Sequence, residues 1–241
     1  MRLALEIEYD GTDFNGWQSQ PHCRTVQDEI EHALKTIFGT KISILGSSRT
    51  DTGVHARHQV AHFDMVQTDM PLWRLVKSVN GLTGKDVVVK NCRAVADNFH
   101  ARYAATGRRY RYYFAQTPMA LKRNYTWFHP LKMRNDLTAF CAEITGQSDF
   151  KAFCKSGVDV EHYRCQIDYA RMFSESDIQI FEIKSNRFLY GMVRALAGLL
   201  VKYDQGDADL HDVQRIFASR DRTKAPMAVP AHGLVLEEVY Y

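Results

Sequence analysis

The sequence predicts an α+β protein made of two ferredoxin-like halves, and three observations carry that reading. Runs in which apolar and polar residues alternate with a period of two are separated by runs with helical spacing. The order strand, helix, strand, strand, helix, strand occurs twice. Apolar residues make up 45% of the 241 and charged residues 24%, the balance of a soluble globular chain long enough for two cores. Each half is expected to form an antiparallel sheet with its helices packed on one side. The boundaries are placed at 1–105 and 106–241, with a cleft between the halves.

Leu3, Leu5, Ile7 and Tyr9 alternate with Arg2, Ala4, Glu6 and Glu8 as a half-buried strand, ended by Asp10-Gly11-Thr12. Thr25 with Asp28 three residues on caps a helix whose stripe is Val26, Ile30, Ala33, Leu34, Ile37 and Phe38, and Gly39 stops it. Strands are expected over 41–46 and 57–64, a helix after Asp69-Met70-Pro71 with Leu72, Leu75, Val76 and Val79 inward, and a strand over 86–95. In the second half, strands are expected at 107–116, 163–174 and 177–186, with a helix over 135–145. A long helix from Phe188 to about Tyr203, a short one over 210–218 and a last strand from Gly233 complete it.

Composition excludes several classes. A formal net charge of +3 leaves any basic surface local, and no apolar run approaches the roughly 18 residues of a membrane span. The chain starts in charged alternation, which reads as cytoplasmic. Cys23, Cys92, Cys141, Cys154 and Cys165 are odd in number and widely spaced, which argues against a disulfide framework and a structural zinc site. Cys154, between Lys151 and Lys155, is the one cysteine whose setting admits a reactive thiol, and an inert one is the simpler reading.

The loop Ser47-Ser48-Arg49-Thr50-Asp51-Thr52-Gly53-Val54-His55 concentrates polar chemistry between two apolar runs. Arg49, two residues before Asp51, is placed to keep the carboxylate ionised and orient it, and Gly53 permits the sharp turn that presents it. In Gly107-Arg108-Arg109-Tyr110-Arg111-Tyr112-Tyr113-Phe114, cations interleave with rings, a pattern suited to stacking bases beside phosphates. Alternation sets Tyr110, Tyr112 and Phe114 on one face and Arg109 and Arg111 on the other; an aromatic core face with a solvated basic face is the plainer account. Arg187 and Arg194 lie seven apart on the long helix, and Arg194, at the margin of the apolar stripe, calls for an acidic partner. Lys122-Arg123 and Lys132-x-Arg134 are basic pairs in a loop-rich segment, and His55, His62 and His100 are read as hydrogen-bonded residues that shape loop and sheet.

Arg49-Thr50-Asp51-x-Gly53-Val54-His55-Ala56 followed by Gln59-Val60-x-His62-Phe63 resembles the signature of the tRNA pseudouridine synthase A family. Its other marks follow in order: Tyr9-Asp10-Gly11-Thr12-x-Phe14-x-Gly16-Trp17-Gln18, Thr25-Val26-Gln27, Phe99-His100-Ala101-Arg102, Arg109-Tyr110-Arg111-Tyr112, Phe188-Leu189-Tyr190-x-Met192-Val193-Arg194 and Gly233-Leu234-x-Leu236. The resemblance implies isomerisation of uridine to pseudouridine on the 3′ side of the tRNA anticodon stem and loop, tRNA positions 38–40, by a homodimer needing no metal, nucleotide or redox cofactor. It implies Asp51 as the essential aspartate, Tyr110 stacked on the base, Arg194 paired with Asp51, Arg49 filling the space of the turned-out base or steering Asp51, and Leu234 lining the pocket. Ser48, Thr52, Gly191 and Ala195 depart from the family's usual residues, as does Thr83 in Asn80-Gly81-Leu82-Thr83. An inactive RNA-binding protein of the same fold is the alternative, and the intact Arg49, Asp51 and Tyr110 count against it. An acid-base hydrolase using Asp51 lacks a second carboxylate or activated nucleophile nearby in sequence.

Overall fold

The computed structural model describes residues 1–65, 69–132, 136–158 and 160–241. Asn135, the expected start of a helix, and Arg134 of the second basic pair lie outside the described residues. The chain divides into two compact units, Met1–Thr106 with Leu236–Tyr241, and Gly107–Val235. Among the described residues no helix is long and apolar enough to cross a membrane.

In the first unit β1 (Arg2–Tyr9) lies between β3 (His55–Asp64) and β4 (Val87–Val95), antiparallel to both. Being central, it buries Ala4 as well as Leu3, Leu5, Ile7 and Tyr9, so strict alternation understated its burial. The helix α1 (Val26–Phe38) begins where the Thr25 hydroxyl accepts the Asp28 N–H and ends at Gly39, whose N–H donates to the Lys35 carbonyl. It packs against α2 (Leu72–Leu82), which lies along β4, so both helices share one side of the sheet. On the other edge of β3 sits β2 (Leu45–Gly46), giving the ferredoxin-like order β4-β1-β3-β2. The strand expected over 41–46 is thus only two residues long. Ile42 and Ile44 are buried, but the Ile44 N–H donates to the Glu31 carboxylate of α1 instead of to a neighbouring strand.

In the second unit β5 (Gly107–Ala115) pairs with β8 (Ile178–Ser185), and β8 pairs with β7 (Ile167–Glu175), all antiparallel. The short β6 (Trp127–Phe128) runs parallel to the end of β5. The helix α3 (Leu137–Thr145), capped by the Asp136 carboxylate, packs along β7 and touches both α4 (Met192–Gln205) and α5 (Leu210–Ser219). Met192, Val193, Leu196, Leu199 and Leu200 are buried, as their spacing requires. The helix starts four residues later than expected because Gly191 sits at φ 73, a left-handed conformation that no helix interior accommodates. Arg187 therefore lies outside it and shares no face with Arg194; its guanidinium is instead 3.1 Å from His162 Nε2. The segment expected to open β7, from Tyr163, makes only an isolated bridge at Arg164 before the ladder begins at Ile167. The last strand, β9 (Leu234–Tyr240), starts in this unit, and from Leu236 onward it belongs to the first, beside β3.

His62 on β3 shows how a histidine is used structurally. Its Nδ1 accepts the Ala101 N–H at 3.1 Å, and burial, helped by the neighbouring His100 and Arg2, lowers its pKa. A folded pKa below the unfolded one means that the unfolded chain binds more protons between the two values. Stability contributed by neutral His62 is full above the unfolded value, about 6.5, and declines as pH falls below it toward the folded value. The denaturation midpoint is expected to drop between about pH 7 and 5, and His62→Asn, which keeps a neutral acceptor, should flatten part of that slope in pH-dependent urea melts.

Candidate active site

The Asp51 loop is held from its flanks. At its start the Gln59 side chain, wholly buried, accepts from the Ser47 hydroxyl at 2.6 Å and donates to the Ser48 carbonyl at 2.8 Å. Thr50 points inward, its hydroxyl 2.7 Å from Tyr9 Oη and its carbonyl accepting the Trp17 N–H at 3.1 Å. The Val54 N–H closes a turn onto the Asp51 carbonyl, and the Gly53 N–H reaches the Phe14 carbonyl. Asp51 thus stands half-buried on a backbone fixed on both sides.

The Arg49 side chain is exposed, while Thr50 beside it is committed to the interior. Phe14 and Trp17 are both buried, Phe14 beneath the Arg24 guanidinium and Trp17 against Gly46, whereas Gln18 is exposed. Gly16 contributes more than the sequence revealed. At φ 88 it adopts a conformation that side chains resist, and a Cβ there would lie 2.7 Å from the Thr50 carbonyl oxygen. Gly16→Ala should therefore displace the Thr50–Asp51 backbone, and because misplacement of a reacting group by about 1 Å costs on the order of 100-fold, the single-turnover rate of any reaction in which Asp51 takes part should fall by about that factor with substrate binding retained.

The remaining predicted site residues belong to the second unit. Tyr110 is buried on β5, its ring edge-on to Phe188 at 5.1 Å. Arg194, in the first turn of α4, donates from Nε to the Val229 carbonyl at 2.8 Å. Leu234 is buried at the start of β9, just after the turn in which Gly233 lies against the Tyr112 ring. The Tyr112 hydroxyl donates to the Pro230 carbonyl, tying that turn to β5.

The basic face of β5 is not the solvated face expected. Arg111 lies opposite Glu182 in the ladder, and Arg171 lies opposite Glu182 on its other side. Glu182 is fully buried; it accepts from Arg111 Nε at 2.6 Å and Arg171 Nε at 2.8 Å, with Arg109 at 3.5 Å. Burial opposes the Glu182 charge, but the hydrogen bonds from Arg111 and Arg171 outweigh it and hold the carboxyl below its ordinary range. The positive charge of Arg109 and Arg111 therefore serves the sheet. No spacing rule could have found this, because Glu182 sits in a run that otherwise reads as plain strand.

His55 and His100 also play structural parts: His55 Nδ1 accepts the Gly11 N–H at 3.0 Å, and His100 Nδ1 accepts from the Arg102 and Tyr103 N–H groups. All five cysteines are free. Burial pushes the Cys92 thiol up to about 11 and those of Cys141 and Cys165 to about 12, and it raises Cys154 as well, which makes Cys154 an inert packing residue.

Comparison with known proteins covers both units. The family model described as tRNA pseudouridine synthase matches residues 6–104 and 140–241, which include the Asp51 loop, Arg194 and Leu234. The tRNA pseudouridine synthase A of Acetivibrio thermocellus is 41% identical over 99% of both chains. That of Halalkalibacterium halodurans is 39% identical over 97% of this chain and 90% of its own. The protein of the same name from Ruminiclostridium cellulolyticum is 37% identical over this whole chain and 99% of its own. With a doubled α+β fold, a rigidly held aspartate loop and relatives of this closeness along the whole length, the chain belongs to the tRNA pseudouridine synthase family.

Proposed function

We propose that this protein isomerises uridine to pseudouridine in tRNA, on the 3′ side of the anticodon stem and loop, with Asp51 as the essential group. The single observation that carries the assignment of Asp51 is the loop itself: a half-buried carboxylate on a backbone pinned through Ser47, Ser48, Thr50 and Gly53, inside the family's matched region. The reaction breaks the C1′–N1 bond, turns the base and joins C1′ to C5; N1 gains a proton and C5 loses one, so atoms balance without a co-reactant. Addition of a carboxylate to C6, attack on C1′ and assistance of a glycal all require the same thing, an ionised Asp51 held toward the turned-out nucleotide. Unstacking that nucleotide costs a few kcal/mol, which protein contacts offset.

In this reading Tyr110 stacks on the base and relays the C5 proton, Arg194 pairs with Asp51, and Leu234 lines the pocket. Arg49, exposed beside the loop, is available to occupy the space the base vacates. The protein acts in the cytoplasm as a homodimer, both inferred from the family. The test is pseudouridine formation in unmodified tRNA transcripts, mapped by position. Conversion confined to anticodon-arm uridines is expected; tight binding by folded protein without conversion would overturn the reading in favour of an inactive RNA-binding protein.

A further inference from the structure

The Phe99-His100-Ala101-Arg102 stretch has no part in the reaction above, yet it is among the most firmly tied segments of the first unit. Ala101 is wholly buried, its N–H bonded to His62 Nδ1 at 3.1 Å and its carbonyl accepting the Tyr241 hydroxyl at 2.8 Å. The Ala104 N–H closes onto the His100 carbonyl at 2.8 Å, and His100 Nδ1 takes the N–H groups of Arg102 and Tyr103 at 3.2 and 3.4 Å. These bonds hold Tyr103 out in solvent: its side chain is 76% exposed although its neighbours are fixed. One face of the ring rests on His100, centroids 4.3 Å apart and planes 40° from parallel, and His100 rests in turn on His62 at 4.8 Å. The Arg102 guanidinium lies over the same ring, 5.6 Å from its centroid.

An exposed ring would ordinarily collapse onto apolar surface. Tyr103 instead stands between two residues, Arg102 and Ala104, that are themselves exposed. A rigid ring backed by an imidazole and flanked by a guanidinium suits a flat partner carrying negative charge. We propose that Tyr103 is a stacking platform for a nucleobase of the bound RNA, with Arg102 facing the adjoining phosphate. The inference rests on the tRNA reading above and extends it to a second contact. The ring's support, His62, lies seven residues along β3 from His55, roughly 23 Å at the strand rise of about 3.3 Å per residue, so the base it receives is not the reacting one.

The test compares Tyr103→Ala, Tyr103→Phe and Tyr103→Trp for binding of a full-length unmodified tRNA transcript and for single-turnover conversion at saturating protein. Tyr103→Ala is expected to weaken Kd about tenfold, while Phe and Trp stay within about twofold of wild type and the saturating rate does not change. An unchanged Kd in Tyr103→Ala overturns the platform; if the sedimentation behaviour of that variant shifts instead, the ring belongs to a protein interface. Because Kd is read independently of turnover, a wild type that fails to convert the transcript while showing the same Tyr103 dependence would overturn the isomerase reading and leave the platform standing.

Discussion

Asp51→Asn is expected to reduce pseudouridine formation by at least about 10⁴-fold, the scale of losing a covalent or proton-transferring group at a reacting centre, while tRNA binding stays near wild type. Asn has the same shape but carries no charge, so it can neither attack carbon nor stabilise developing positive charge at C1′. The substitution leaves the loop intact because its course is set elsewhere, by Thr50 on Tyr9 and Trp17, by Gln59 on Ser47 and Ser48, and by the Gly53 N–H on Phe14. Single-turnover conversion and filter binding on the same transcript separate the two effects. A variant that still converts the transcript at more than about a hundredth of the wild-type rate would remove Asp51 from the chemistry.

Glu182→Ala should produce the largest loss of stability. It would leave Arg109, Arg111 and Arg171 facing one another across β5, β8 and β7 with nothing between them. Breaking a buried pair costs about 3–5 kcal/mol, and the lower end applies because the guanidiniums keep some contact with water. Glu182→Gln keeps the hydrogen-bond acceptor and should lose less, which a urea denaturation series would show as two graded shifts of midpoint. The pH dependence has a definite sign. The folded carboxyl is depressed, so its contribution is present above the unfolded value near 4.3 and is lost as pH falls through the folded one. Acid should therefore weaken wild type more than Glu182→Gln.

The parts of the fold that follow from local rules were legible. Thr25 and Gly39 bracket α1 where capping chemistry places them, and the apolar stripe of α4 is buried throughout. What misled was information that lives in space. The run over 41–46 alternates like a strand, but Glu31 on α1 takes the backbone donor a ladder would have used. Phe188-Leu189-Tyr190 has helical composition, but Gly191 turns left-handed after it. The Arg49-Asp51 motif was visible as chemistry, whereas the depth of each side chain, Arg49 exposed and Asp51 half-buried, was not. Gly16 and Gln59 were visible only as letters of a motif; their work in fixing the loop depends on Thr50 and Ser48, far from them in the chain.

The division of β9 between the units bears on how the protein emerges from the ribosome. The first unit holds residues up to Thr106 but also Leu236–Tyr241, and its hydrogen bonds from Val239 to His58, from Thr106 to Tyr240 and from Tyr241 to Ala101 all wait for that final strand. At about 5–20 residues per second, translation of the intervening second unit takes on the order of ten seconds. For that interval the edge of β3 is an unfinished ladder, open to pairing with other nascent chains. Vectorial synthesis therefore completes the unit that bears Asp51 only after the second unit has been made, and a chain stalled before Leu236 would leave that edge open.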